Sequence, residues 1–65
     1  MRNEAGTYTY YTLQYTGHYG VLYREYYETR LVRDMEITHL KRNAPHVRNI
    51  TRLRTISSTP LHVSV

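Results

Sequence analysis

TRLVRDMEITHLKRN, residues 29–43, decides what this 65-residue chain can fold into. Wound as a helix, it gathers Leu31, Val32, Met35, Thr38 and His39 on one side. Ile37 and Leu40 fall off that stripe. Thr29 suits an N-cap, and Lys41 and Arg42 suit the negative end of a helix dipole. Asn43 followed by Pro45 is a stop signal. A strand over 31–40 is the alternative, because Met35, Ile37 and His39 alternate with Asp34, Glu36 and Thr38. A strand there would leave a very small sheet with nothing to cover it. A helix would cover one face.

Upstream, TYTYYTLQYT (7–16) is dense in residues that favour strands. Tyr11, Leu13 and Tyr15 share one face, and Tyr8 and Tyr10 share the other. The adjacent Tyr10-Tyr11 pair breaks the alternation, which predicts a bulge or a strand wetted on one side. TGHYG (16–20) is a hairpin turn and VLYREYYE (21–28) is the returning strand. Tyr23 and Tyr27 lie in phase with Val21, opposite Leu22 and Tyr26.

Downstream, HVRNITRLRTIS (46–57) is the last strand, broken by SSTP (57–60). LHVSV (61–65) is a short extra strand or a frayed tail. The expected architecture is α+β: a small three-stranded antiparallel sheet with one helix packed on one face, in the order ββαβ. Residues 1–6 form a flexible leader, 7–57 the single domain and 58–65 a tail.

Size and composition bound the function. A chain this short buries only about 60% of its unfolded surface, which leaves little room for an enclosed cleft. There is no cysteine, hence no disulfide and no thiolate metal site. No apolar run reaches the ~20 residues of a membrane helix, and the start lacks a hydrophobic signal segment. The expectation is a cytoplasmic protein with no membrane partner.

The charge is +4, and seven of the nine Lys/Arg lie between Arg30 and Arg54. An anionic partner follows, either nucleic acid or an acidic protein surface. No His pair has the helical spacing of a metal site, and no nucleophile elbow or phosphate loop is present. The acids sit among arginines as solvated ion pairs. These absences predict no metal, no cofactor and no enzyme.

Two binding surfaces remain. All eight aromatic residues are tyrosines, between Tyr8 and Tyr27. On an open sheet, Tyr8, Tyr10, Tyr23 and Tyr26 could stack single-stranded bases beside Arg24 and Arg48. The plainer reading makes the tyrosines core filler and cross-strand pairs. In the last strand, period two puts Arg48, Ile50, Arg52, Arg54 and Ile56 on one face, opposite a Val47/Leu53 core face. Charges on a strand usually guard it against aggregation. Isoleucine interleaved with arginine is also the composition of a protein-binding surface. Arg48, Arg52 and Arg54 are therefore the candidate partner-binding residues. Pairing of two copies through an exposed edge strand is a further possibility for so small a core.

The element order, and Ile50-Thr51-Arg52-Leu53-Arg54 following Pro45, resemble the small bacteriophage inhibitors of host RNA polymerase, of the bacteriophage T7 type. That family carries Val-Thr-Arg-Val-Arg in its last strand, after a proline-containing helix exit. The resemblance implies a host-takeover protein acting in the cytoplasm of an infected bacterium. In the family, the strand arginines grip an acidic patch on the jaw of the polymerase's largest subunit and obstruct the open promoter complex. Residue by residue, Arg52 and Arg54 match. The helix departs from the family pattern: it carries Arg30, Arg33, Lys41 and Arg42, where the family's is acidic.

Overall fold

A computed structural model describes residues 5–64. The leader expected over 1–6 falls, for residues 1–4, outside them. Strand β1 (Tyr8–Thr16) leads through a short 3-10 turn (His18–Gly20) to β2 (Leu22–Tyr27). Helix α1 (Arg30–Asn43) follows, then β3 (Arg48–Ser57). The sheet is antiparallel in the order β2-β1-β3. The α+β architecture is the expected one, with residues 30–43 helical.

Local chemistry explains the boundaries. The hairpin turns where two glycines allow it. A Cβ at Gly17 would stand 2.6 Å from the Tyr23 ring, and Gly20 has φ +73°, where L side chains are strained. The Val32 amide donates to Thr29 Oγ1 at 3.2 Å, so Thr29 caps the helix as its position predicts. At the other end, Asn43 Nδ2 donates to the His39 carbonyl at 3.1 Å.

The helix face differs from the expected one. Ile37 is 2% exposed and Leu40 packs against the same cluster, with Leu13 and Tyr27 from the sheet. Arg33 is buried beside them. Leu31, Val32 and Met35 point to solvent, Leu31 at 70% and Met35 at 61%. The helix thus turns its stronger apolar stripe outward. The reason lies in the sheet: Tyr11 and the Leu53 carbonyl satisfy a buried guanidinium, which makes the Arg33–Ile37–Leu40 row a workable inner face.

Register sets the two faces of the sheet. Leu13 stands opposite Glu25 and Arg52, and Tyr11 opposite Tyr27 and Arg54, all on the helix side. Thr12 stands opposite Tyr26 and Leu53 on the other side. Val47/Leu53 is therefore not the core face. Ile50 packs against the core and Leu53 is exposed. The irregularity lies late in the sheet, not at Tyr10-Tyr11. Between Gln14↔Thr51 and Thr16↔Arg48, β3 carries one extra residue. Asn49 absorbs it with φ 57°, a conformation that asparagine tolerates better than most residues.

The second face is partly covered by the chain itself. After β3 the backbone returns beneath the sheet. The Leu61 amide donates to Tyr10 Oη at 2.9 Å, and the Ser64 amide donates to the Tyr26 carbonyl at 2.8 Å. Tyr10 and Thr12 are buried there, and Thr12 Oγ1 lies 2.7 Å from Thr55 Oγ1. Residues 58–64 form no regular strand.

Candidate anion-binding cleft

The helix packs over β1 and β2 rather than over β3. The helix-side face of β3 is left open, and a cleft of about 380 Å³ forms against the first turns of α1. Tyr11, Arg30, Arg33, Arg52, Leu53 and Arg54 line it. Two pairs of arginines, one from α1 and one from β3, therefore share one hollow.

Each is placed by an identifiable cause. Arg52 and Arg54 alternate with Leu53, so β3 aims both at the helix side. Arg30 and Arg33 are one helical turn apart and reach the same ring. Their guanidinium carbons lie 5.7 and 5.6 Å from the Tyr11 centroid. That is cation–π range. Arg33 Nη1 also donates to the Leu53 carbonyl at 3.2 Å, which ties helix to strand.

One carboxylate serves this group among the described residues. Asp34 Oδ1 accepts from Arg33 Nε at 3.1 Å and from Arg52 Nε at 3.2 Å. Partial desolvation works against its charge. Hydrogen bonds from Arg33 and Arg52, with their positive charges, outweigh that and hold the Asp34 carboxyl below the usual carboxylate range. Arg30 and Arg54 make no ion pair among the described residues. The cleft therefore has unspent positive charge, an aromatic floor and an open mouth. Guanidinium groups so placed can offer forked hydrogen bonds to anionic groups.

The residues singled out from sequence divide in space. Arg52 and Arg54 stand together in the cleft. Arg48 does not join them, because the bulge at Asn49 pairs it with Thr16 on the opposite face. Arg30 and Arg33 were missed. Their only sequence signal was the basic character of the helix. Of the tyrosines, Tyr8, Tyr10 and Tyr26 share the face away from the helix, with Tyr8 and Tyr10 rings 6.4 Å apart and Tyr10 and Tyr26 rings 6.0 Å apart. Arg24 lies on that face and donates to Gln14 Oε1 through Nε and Nη2. Tyr23 is on the helix side, stacked on Tyr15 at 5.3 Å. Tyr10 is 2% exposed, so no base can stack on it while the returning segment is in place.

A second polar group sits deeper on the helix side. Glu25 accepts from Tyr15 Oη at 2.7 Å and from Tyr27 Oη at 2.6 Å. Burial, then these bonds to Glu25 and its charge, push both phenols well above the ordinary tyrosine value. This cluster is saturated and structural. Among the described residues no group of three or more His, Asp or Glu is gathered to hold a metal ion. No helix there is long and apolar enough to cross a membrane.

Comparison of the chain with protein-family models, with curated proteins and with solved structures finds no match.

Proposed function

We propose that this protein acts by binding, taking an acidic surface of a protein partner into the arginine cleft. The observation that carries the reading is the convergence of Arg30, Arg33, Arg52 and Arg54 on one hollow beside Tyr11, with Asp34 as the counter-charge to Arg33 and Arg52 alone. Arg52 and Arg54 are two residues apart on a strand, about 7 Å. They can engage two carboxylates at once. Arg33 is preorganised by Leu53 and Tyr11, so it loses little freedom when a ligand arrives.

The resemblance of β3 to the phage inhibitors supplies the partner: a bacterial enzyme with an acidic patch, RNA polymerase first. The protein would then be a phage-type host-takeover factor that binds and disables its target in the bacterial cytoplasm. The alternative, a nucleic-acid module that stacks bases on tyrosine, has less support. Its aromatic set is split between two faces, and Tyr10 is covered.

Affinity capture from a nuclease-treated bacterial lysate tests the proposal. The wild-type chain should retain a discrete protein that Arg52→Glu with Arg54→Glu loses. Equal retention by both would overturn the assignment of these arginines. Capture that disappears with nuclease would favour the nucleic-acid reading.

A further inference from the structure

Sheet and helix end at different places, and Ile56 is left bare between them. β2 stops opposite Tyr11, so Tyr8–Tyr10 pair with β3 alone, and Ile56 stands opposite Thr9 in this two-stranded end. Helix α1 starts beside Tyr11, where Arg30 leans over the ring, and runs away from that end. It leads to His46, whose ring stacks on His18 of the hairpin turn at 3.7 Å. The two faces of the two-stranded end are treated differently. On one, the returning segment seals Tyr10 to 2% exposure. On the other, the helix side, Ile56 keeps 65% of its surface in water.

Period two joins Ile56 to the cleft. Ile56, Arg54 and Arg52 follow one another on the helix side at about 7 Å per step. Ile50, at the other end of this row, packs against the core. Apolar surface is therefore open at one end of the row only. One exposed isoleucine is ordinary by itself. Beside Arg30 and Arg54, which make no ion pair among the described residues, it gives the mix of apolar surface and arginine typical of an interface.

The charges select the occupant. A second copy would bring its own arginines against these. A nucleic-acid backbone would satisfy the guanidinium groups and leave Ile56 in water. A protein segment carrying carboxylates and an aliphatic residue satisfies both. We propose that the cleft recognises an acidic protein segment through an aliphatic residue seated on Ile56, with the segment's carboxylates on Arg54 and Arg52. The inference rests on the acid-binding reading of the cleft and adds the apolar contact that gives it direction. The aliphatic residue stands about 7 Å from one acid and about 14 Å from the next.

NMR titrations with two short peptides test it. One is an oligoglutamate ending in a single leucine, and the other has alanine in place of that leucine. The leucine peptide should bind about three- to tenfold tighter. Ile56→Ala, at an exposed position, should keep the fold and bind the alanine peptide as the wild type does. The advantage of leucine should vanish in that variant, because the double-mutant cycle isolates the one contact. Equal affinity of the two peptides for the wild type, or an advantage that survives Ile56→Ala, would overturn the proposal and leave acid binding by the cleft intact. So would a single-stranded oligonucleotide of equal charge that binds the cleft more tightly than the leucine peptide, in wild type and variant alike. Binding of neither peptide would overturn the acid-binding reading, and this inference with it.

Discussion

Arg52 Nε lies 3.2 Å from Asp34 Oδ1, so a residue of the last strand is tied to the first turns of the helix across an open cleft. The same oxygen holds Arg33 at 3.1 Å. Asp34 thus does two things. It keeps the helix and β3 in register, and it occupies donors that an incoming carboxylate would use.

Replacing Asp34 by Asn should therefore pull stability and binding in opposite directions. The folded-state carboxyl titrates below its unfolded value, so its stabilising contribution is present above pH ~4 and fades as pH falls through the folded value. Asp34→Asn should remove that part of the acid sensitivity, seen as a flatter loss of stability on acidification. It should also raise affinity for acidic ligands, because Arg33 and Arg52 are released. An unchanged acid profile together with weaker binding would contradict this role.

The bulge at Asn49 makes Arg48 a built-in control. Arg48 pairs with Thr16, away from the cleft. Arg48→Glu should leave partner capture intact, whereas Arg30→Glu, which sequence alone did not single out, should weaken it. Both changes alter net charge equally, so a difference between them reports position rather than charge.

The orientation of the helix has a direct stability test. Ile37→Ala should cost about 2–5 kcal/mol, because it opens a cavity among Leu13, Tyr27 and Leu40. Met35→Ala should stay within about 0.5 kcal/mol in dilute protein, because Met35 faces water. Denaturant melts of the two variants decide it. A large loss for Met35 with none for Ile37 would rotate the helix by half a turn.

Burial, with Glu25 beside both phenols, gives the sheet an alkaline limit. Tyr15 and Tyr27 have raised folded-state values, so their contribution is complete below pH ~10 and is lost as pH rises through the folded values. A phenolate absorbance titration should find Tyr15 and Tyr27 resisting ionisation well above the ordinary tyrosine range. Glu25→Gln should bring both to ionise at lower pH. Eight tyrosines ionising together would remove this cluster from the account.

Much of the fold is legible in the residues. Thr29, the Asn43–Pro45 exit, the glycines of the hairpin and the alternation of β1 and β2 act through neighbours a few positions away, and local pattern captures such effects. The helix face is not legible for a physical reason. Leu31, Val32 and Met35 carry the stronger apolar signal, and nothing near Arg33 in sequence announces that Tyr11 and Leu53 will satisfy it. The site is half legible on the same grounds. Period two finds Arg52 and Arg54 together. One extra residue at Asn49 removes Arg48, and only the tertiary packing brings in Arg30 and Arg33. The split of the tyrosines follows from the observed phase of β1 and β2, whereas the burial of Tyr10 depends on where residues 58–64 return.

The central claim is that the cleft between α1 and β3 is an acceptor for carboxylates. An NMR titration with a short oligoglutamate peptide, following backbone amides and arginine Nε–H groups, tests it most directly. The account predicts saturable shifts at Arg30, Arg33, Arg52, Arg54 and Tyr11, quiet signals at Arg24 and Arg48, and loss of the response in Arg52→Glu with Arg54→Glu. Shifts centred on Arg24, Arg48 and Tyr26, or no saturable response at low salt, would contradict it.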